Sequence, residues 1–574
     1  MKKIVLYLFI FVFAGTGCES FLDTESYTKK NSSNFPLNED DAEQLLTGVY
    51  TTLSKGQESP GNTYFFTAEL ASDDRYGGGG ENDKDFQVVT HLLYSNLDRY
   101  KSFWSAKYTG VARANMAISN LATIENEEVR NQKMGEALFL RAYTYFELVQ
   151  LFGDIPFIER APEDVDEAQT PPAQLPAKDI FAYIATDLKQ AYEIMPSYPW
   201  NQLRSGTVTK WAAAGMLARV YLFYTGFYQE SSLPTSEGEA ITKDFVVGAL
   251  DNCIANSGHG LIDDFRSLWP YTNSESKKDY EYAKEAPTWV KDGENKEHVF
   301  VIKNSHLGDW GTTIGFANQY SLYFAIRSGG KIDYHNTFPF GQGWGAGPVT
   351  PNLWNEWKED EPDDIRRVAS IYDVTTESTD YPFGEDAQME ETGFWQKKII
   401  ATTAYKANGV DLYNSFTSST AYYGDGETDN FQLGHETDLI VVRHADILLM
   451  HSELTETTTG INAVRARAGL PPLASYSLAA LQKERRYELA FEGLRWGDLR
   501  RWHIAEAALP RKYGQPIWNR GIATTMKPQQ GGLAARYKAT QGFMPIPQSE
   551  IDLANGALKQ NPGWDIAPFV SWME

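Results

Sequence analysis

Residues 443–502 combine helical periodicity with more charge than a protein core normally holds. Two sets of apolar residues there have the spacing of one helix face, the first at i, i+3 and i+4 and the second at i, i+3 and i+7. They are Ala445, Leu448 and Leu449, then Ile461, Val464 and Ala468. Glycine accepts the left-handed conformation that ends many helices, so Gly469 ends the second helix, and Ser477 can cap a third. This stretch predicts three closely spaced helices.

The third predicted helix, with apolar residues from Leu481 to Trp496, carries acids and arginines at helical spacing. These charged residues are Glu484, Arg485, Arg486, Glu488, Glu492 and Arg495. An arginine lies within one turn of nearly every acid, which favours ion pairs. A catalytic acid instead needs a carboxyl isolated from cations, because isolation raises its pKa. We therefore predict a structural role for these charges.

Amphipathic helices are also predicted along the first 230 residues. They cover residues 39–54, 102–121, 134–152, 179–195 and 207–228. Segment 134–152 has two apolar faces, so it should pack between two neighbours, as in stacked helical pairs of the tetratricopeptide type. Residues 257–436 are rich in Gly, Pro, Asn, Trp and Tyr, which predicts long loops with short strands or helices.

Length and charge narrow the possible functions. A chain of 574 residues exceeds what one compact core usually serves. A net charge of −24 excludes a nucleic-acid partner, because phosphate binding needs a basic surface. Cys18 and Cys253 are the two cysteines, so no disulfide framework is expected.

The amino terminus is typical of a bacterial lipoprotein. Lys2 and Lys3 precede an apolar run over residues 4–13 that is too short to span a bilayer. Small residues then lead to Cys18. We predict a signal peptide over residues 1–17, an acylated Cys18, and a polar tether within residues 18–37. The alternative is an ordinary secretory signal cleaved nearby.

Three motifs in the helical stretch, RHADILLMHSE, NAVRARAGL and ERRYELAFEGLRWGDLRRW, resemble the SusD-like (RagB/SusD) lipoproteins, as does GEALFLRAYTYFELVQLFGDIP at 135–156. The resemblance implies a mainly α fold, with a tetratricopeptide-like helical-pair scaffold and a large irregular loop-rich region carrying short strands. It divides the chain into an N-terminal helical region, 38–230, and a RagB/SusD region, 231–574. It also implies a surface-exposed outer-membrane lipoprotein that serves a SusC-like TonB-dependent transporter.

Two loop regions have the chemistry that binds sugars, which is stacking on aromatic rings and hydrogen bonding to polar side chains. The predicted ligand-binding residues are Asp73, Asp74, Arg75 and Tyr76 in the first region, and Trp310, Tyr320, Tyr323 and Trp344 in the second. The glycines at 77–80 lack the GxxxxGK[ST] pattern of a phosphate loop, so a mobile surface loop carrying Tyr76 is expected. Glycines flank Trp344, which favours an exposed ring.

The leading hypothesis is a non-catalytic protein that captures a glycan and passes it to the transporter. One rival is a secreted glycoside hydrolase, although no pair of carboxylates stands out. Others are a binding protein for a nutrient such as peptide, and a pure scaffold. Acidic residues 425–429 could hold calcium, but the EF-hand pattern is absent, so we predict a solvated turn, no metal and no cofactor.

Overall fold

α-Helices are the main regular structure of the described chain. The computed structural model describes residues 38–55, 59–162, 172–291, 293–305, 317–327, 337–340, 342–378, 380–402, 404–405, 412–413 and 435–570. The α-helices are Glu39–Lys55 (α1), Tyr64–Ala71 (α2), Lys84–Thr90 (α3), Lys101–Leu121 (α4), Glu127–Phe152 (α5), Ala177–Ile194 (α6), Lys210–Tyr228 (α7), Lys243–Asn256 (α8), Gln319–Tyr323 (α9), Pro351–Asp360 (α10), Ile365–Ser370 (α11), Val374–Glu377 (α12), His444–Thr455 (α13), Thr459–Arg467 (α14), Leu478–Glu488 (α15), Arg495–Arg501 (α16), Ala505–Ala508 (α17), Leu533–Thr540 (α18) and Gln548–Leu553 (α19).

The predicted mainly α fold of helical pairs is confirmed. Helix α5 packs between α4 and α6, α6 packs on α7, and α7 packs on α8. Both apolar faces of α5 are buried, as its sequence predicts. Side-chain caps fix where these helices start: Asn126 accepts backbone N–H groups of α5, and Thr209 does so for α7. Among the described residues, no helix is long and apolar enough to cross a bilayer.

The strands of the described residues form short two-stranded pairs and no larger sheet. The strands are Ile155–Pro156 (β1), Gln174–Leu175 (β2), Leu233–Pro234 (β3), Ala240–Ile241 (β4), His298–Ile302 (β5), Ile326–Arg327 (β6), Gln342–Gly343 (β7), Ile371–Asp373 (β8), Phe394–Gln396 (β9), Ala404–Tyr405 (β10), Leu412–Tyr413 (β11), Leu439–Arg443 (β12), Pro516–Asn519 (β13) and Ile522–Thr525 (β14). The pair β6–β7 is parallel, and the others, including β5–β12, are antiparallel. The expectation of short elements over residues 257–436 holds for the described part.

The stretch 443–502 forms four helices rather than the three predicted. α15 ends at Glu488, and the chain turns through Phe491 and Gly493, whose φ angles are +67° and +74°. A Cβ on Gly493 would lie 2.6 Å from the ring of Phe65, so only glycine fits this crossing. The Gly493 N–H then donates to Glu69 at 2.8 Å, which ties the turn to α2.

The carboxyl-terminal segment returns to the amino-terminal helices. The Met544 N–H donates to the Leu151 carbonyl at 2.7 Å, and the Asn561 side-chain amide donates to the Phe152 carbonyl at 2.7 Å. Met544 and Trp564 are buried in the same hydrophobic core as α4 to α7. The last described residues therefore complete the core that the first helices begin.

Candidate functional site

The charges on and just after α15 form a buried ion-pair network, which confirms their predicted structural role. The predicted pairing of these charges with one another is wrong, because each of them pairs with a residue from another element. Glu488 pairs with Arg366, Arg443 and Arg467, and all four side chains are almost fully buried. Burial alone would raise the pKa of Glu488, but the surrounding guanidinium groups outweigh it and hold the pKa well below its ordinary value. A carboxylate held ionised by three arginines stabilises the fold and does not act as a proton donor.

The same kind of pairing draws the first predicted binding loop, the glycine loop (residues 72–80), into the interior. Asp73 accepts from Arg495 at 2.7 and 2.8 Å. Asp74 accepts from Arg486 at 2.9 Å, and Arg75 donates to Glu69 at 2.9 Å. The prediction that this loop is mobile and exposed is therefore wrong.

Tyr76 is also enclosed, because its hydroxyl donates to the Lys512 carbonyl at 2.7 Å. Asp73 and Asp74 are each 3% exposed, and Arg75 and Tyr76 are 0% exposed. In this conformation these four side chains have no surface to offer a ligand. Asp73 and Asp74 pair with arginines more than 400 residues away in the sequence, whereas Arg75 pairs with nearby Glu69.

Close packing explains the four glycines, since a Cβ would meet backbone atoms at Gly77 and Gly78 and side chains at Gly79 and Gly80. Gly78 has φ +67°, and a Cβ there would lie 2.4 Å from the Gly345 carbonyl oxygen. Glu390 accepts the N–H groups of Gly77 and Gly78 at 2.8 and 3.1 Å. The Gly79 N–H donates to the Gly345 carbonyl at 2.8 Å. The glycines thus allow the glycine loop to lie directly against the Trp344 loop, residues 342–349.

Trp344 is the exposed aromatic residue of the Trp344 loop, with 38% of its surface accessible. Its backbone is fixed, because its N–H donates to the Leu322 carbonyl at 3.0 Å and the next N–H, of Gly345, donates to Ala325 at 2.9 Å. The Gln388 amide donates to the Gly345 carbonyl at 2.9 Å. The predicted exposure of Trp344 is confirmed, and the ring is held on a rigid support.

Arg327 links the backbone of Trp344 to polar and aromatic residues of the adjoining segments. Arg327 donates to the Trp344 carbonyl at 3.2 Å and to Asp83 at 3.0 Å. The Asp83 carbonyl accepts the Phe86 N–H at 2.9 Å. The ring centre of Phe86 is 5.6 Å from that of half-buried Tyr323. We call these five residues the Trp344 surface. Burial raises the pKa of Tyr323, so its hydroxyl stays protonated and can donate a hydrogen bond.

The other predicted binding residues have different positions. Tyr320 is 2% exposed, and its hydroxyl bonds to Thr63 at 2.8 Å, so its predicted loop exposure is wrong. Trp310, Cys18 and the acidic residues 425–429 lie outside the described residues. Sequence reasoning placed Tyr323 and Trp344 near each other but missed Phe86, Asp83 and Arg327. Phe86 looks like an ordinary core residue in the sequence. The partners of Arg327, Asp83 and Asp386, come close to it only in the folded chain.

Metal-binding and thiol chemistry have little support in the described residues. They contain no group of three His, Cys, Asp or Glu side chains arranged to hold a metal ion. Burial raises the pKa of Cys253 to about 12, so this thiol stays protonated and unreactive.

Two family models match the chain. One, described as "Starch-binding associating with outer membrane", matches residues 20–222, and the other, described as the SusD family, matches residues 297–564. The chain belongs to the SusD family. The resemblance to SusD-like proteins that the sequence motifs indicate is thus confirmed in both the amino-terminal and the carboxyl-terminal parts of the chain.

Relatives and solved structures agree with this assignment. SusD-like protein P2 of Formosa agariphila is 25% identical over 596 residues, covering 98% of this chain and 100% of the relative. A laminarin binding SusD-like protein has a TM-score of 0.67 and 24% identity, with 92% of this chain and 100% of that chain covered. Surface glycan-binding protein A from Bacteroides thetaiotaomicron, in complex with laminarihexaose, has a TM-score of 0.67 and 18% identity, with 91% and 99% covered. The structures have the same fold as this chain.

Proposed function

We propose that this SusD-family chain is a non-catalytic, surface-exposed lipoprotein of the outer membrane that binds a glycan and delivers it to a SusC-like TonB-dependent transporter. The observation that carries the proposal is the exposed ring of Trp344 on a fixed backbone. A sugar ring presents an apolar C–H face that stacks on such an aromatic ring.

The polar neighbours of Trp344 suit the hydroxyl groups of a sugar. Arg327 supplies N–H donors, Asp83 supplies acceptor oxygens, and Tyr323 supplies a hydroxyl. Because Arg327 and Asp83 already pair with each other, they are oriented before a ligand arrives. Two solved relatives are named for laminarin or laminarihexaose, which makes laminarihexaose the first probe to try.

Calorimetry with the detergent-solubilised full-length protein tests glycan binding. We expect laminarihexaose, or a malto- or xyloglucan oligosaccharide, to bind, and Trp344→Ala to weaken that binding about tenfold or more. Leu553→Ala is the matched control, because Leu553 is 69% exposed on α19, outside the Trp344 surface. Binding of peptides in place of every glycan would contradict the ligand class.

The non-catalytic part of the proposal is supported by the carboxylates around Trp344. Asp83 and Asp386 both pair with Arg327, at 3.0 and 3.1 Å. Glycoside hydrolysis instead needs two carboxyls on either side of the scissile bond, one of them protonated. Incubation with the same oligosaccharides should release no reducing ends. Their appearance, and their loss in an Asp83→Asn variant, would favour the hydrolase.

The anchor and the transporter need separate tests. A Cys18→Ser variant should lose incorporation of labelled palmitate and leave the membrane fraction, because acyl chains on Cys18 supply the membrane affinity. The parent protein should co-purify with a TonB-dependent transporter from solubilised outer membranes. Recovery of the parent from the cytosol, or without any such transporter, would contradict this part.

A further inference from the structure

A second cleft lies between α1, the loop 203–207 and strand β5. It has a volume of about 780 Å³, which is the size of a small-molecule site. Tyr50, Thr51 and Thr207 are among the residues that line it. None of its lining residues belongs to the Trp344 surface. The cleft therefore cannot be an extension of the binding surface proposed above.

A recess of about 40 Å³ adjoins this cleft along the same 203–207 loop. A water molecule needs roughly 10–15 Å³ by this measure, so the recess admits a hydroxyl or hydroxymethyl group but no sugar ring. Trp200, His259 and Asn295 line it. His259 is 8% exposed and Asn295 is 2% exposed, so both face the recess from the protein interior.

Asn295 presents a hydrogen-bond donor. Its side-chain oxygen accepts the Glu297 N–H at 2.9 Å, which fixes the orientation of the amide. The amide nitrogen, Nδ2, then has no partner within the described protein. A buried N–H group without a partner is costly, so this group requires a ligand atom or a water.

His259 presents an acceptor. Its Nδ1 lies 2.9 Å from the Lys296 carbonyl, which accepts a hydrogen bond, so Nδ1 carries the proton. Nε2 then offers a lone pair and has no partner within the described protein. Burial lowers the pKa of His259 to about 4, so the ring is neutral at neutral pH.

One donor residue and one acceptor residue line the same recess, and such a pair matches a hydroxyl group, which accepts one hydrogen bond and donates another. The ring of half-buried Trp200, centred 6.2 Å from that of His259, adds an apolar wall. The positive side chains at the cleft are balanced by carboxylates. Arg204 lies 3.6 Å from Glu43, and Lys303 pairs with Asp438 at 2.6 Å. This charge balance favours a neutral ligand over an anion.

We propose that this cleft is a second binding site for a neutral polyhydroxylated ligand, a monosaccharide or the end of a short oligosaccharide, with one hydroxyl bound between Asn295 and His259. The site is separate from the Trp344 surface and would hold a sugar even when that surface is disabled.

Glucose is the probe for this site, because a single hexose fits the cleft. The full-length protein is titrated with millimolar glucose by calorimetry, and its crystals are soaked in glucose. We expect Trp200→Ala and Asn295→Asp to weaken glucose binding about tenfold. Asn295→Asp keeps the oxygen that accepts the Glu297 N–H but removes the donor, and circular dichroism checks that each variant is folded.

Trp344→Ala separates the two proposals. It should weaken laminarihexaose binding at the Trp344 surface about tenfold or more and leave glucose binding in the cleft unchanged. Unchanged glucose affinity in both Trp200→Ala and Asn295→Asp would overturn the second site. So would soaked crystals with water only between Asn295 and His259. Neither result would affect laminarihexaose binding by the parent, so failure here is distinguishable from failure of the proposed function.

Discussion

The glycine loop and the Trp344 loop have similar compositions, but the aromatic residue of the first is buried and that of the second is exposed. Both place an aromatic residue beside glycines, and both were predicted to contact a ligand. Tyr76 is 0% exposed and Trp344 is 38% exposed. The difference lies in distant charges, because Arg486 and Arg495 pair with Asp74 and Asp73 and hold the glycine loop inside. Glycine beside an aromatic residue therefore indicates close backbone packing and does not by itself decide whether the ring is exposed.

Breaking the ion pairs of the glycine loop should have the largest effect. Asp73→Ala leaves Arg495, whose side chain is 12% exposed, without its main partner and should lower the free energy of unfolding by about 3 kcal/mol. Guanidinium denaturation followed by circular dichroism measures the change. The matched control is Glu281→Ala, which removes an exposed ion pair with Lys284 and should change stability by less than about 0.5 kcal/mol. Equal small changes in both would show that the two loops are held alike.

A side chain added between the two loops should destabilise the protein somewhat less than the loss of an ion pair. Gly78→Ala places a Cβ 2.4 Å from the Gly345 carbonyl oxygen and should lower the free energy of unfolding by about 2 kcal/mol. Gly514→Ala has a similar φ of +76° but no atom within 4 Å of the new Cβ, so it should cost about 1 kcal/mol. A similar cost in both variants would mean that backbone strain, and not close packing, selects these glycines.

Acid should weaken the glycine loop and not the Trp344 loop. Burial raises the pKa of Asp73, but Arg495 and Arg486 outweigh it and hold the pKa well below 3.8. The stabilisation is complete above pH 4 and is lost as pH falls toward the folded-state pKa. Between pH 4 and 2, the Asp73→Asn variant should therefore lose about 2 kcal/mol less stability than the parent. Denaturation curves at stepped pH test this, and parallel curves for the two proteins would contradict it.

Trp344→Ala should have the smallest effect on stability, below about 0.5 kcal/mol, because its ring is partly in water and its backbone bonds remain. Thermal unfolding of this variant beside the parent measures it. The same variant should show the large loss of oligosaccharide affinity described above. A large loss of stability instead would make Trp344 a packing residue like Tyr76.

Local sequence patterns predicted the helices well, because amphipathic spacing and caps such as Thr209 and Ser477 act within a few residues. The structural role of Glu488 was predicted from nearby arginines, but its partners Arg366, Arg443 and Arg467 lie outside its helix and could not be predicted. The break of α15 after Glu488 was missed, because it depends on Gly493 meeting the ring of Phe65. Burial of Asp73 and Tyr320 could not be predicted either, since their partners are distant in sequence or come from another loop.

The return of residues 544–564 to the first helices affects how the chain is made. A ribosome delivers the amino end first, so a nascent chain that stops short of Met544 and Trp564 still exposes the apolar groove that these residues cover. This core can therefore be completed only after the last segment has been synthesised.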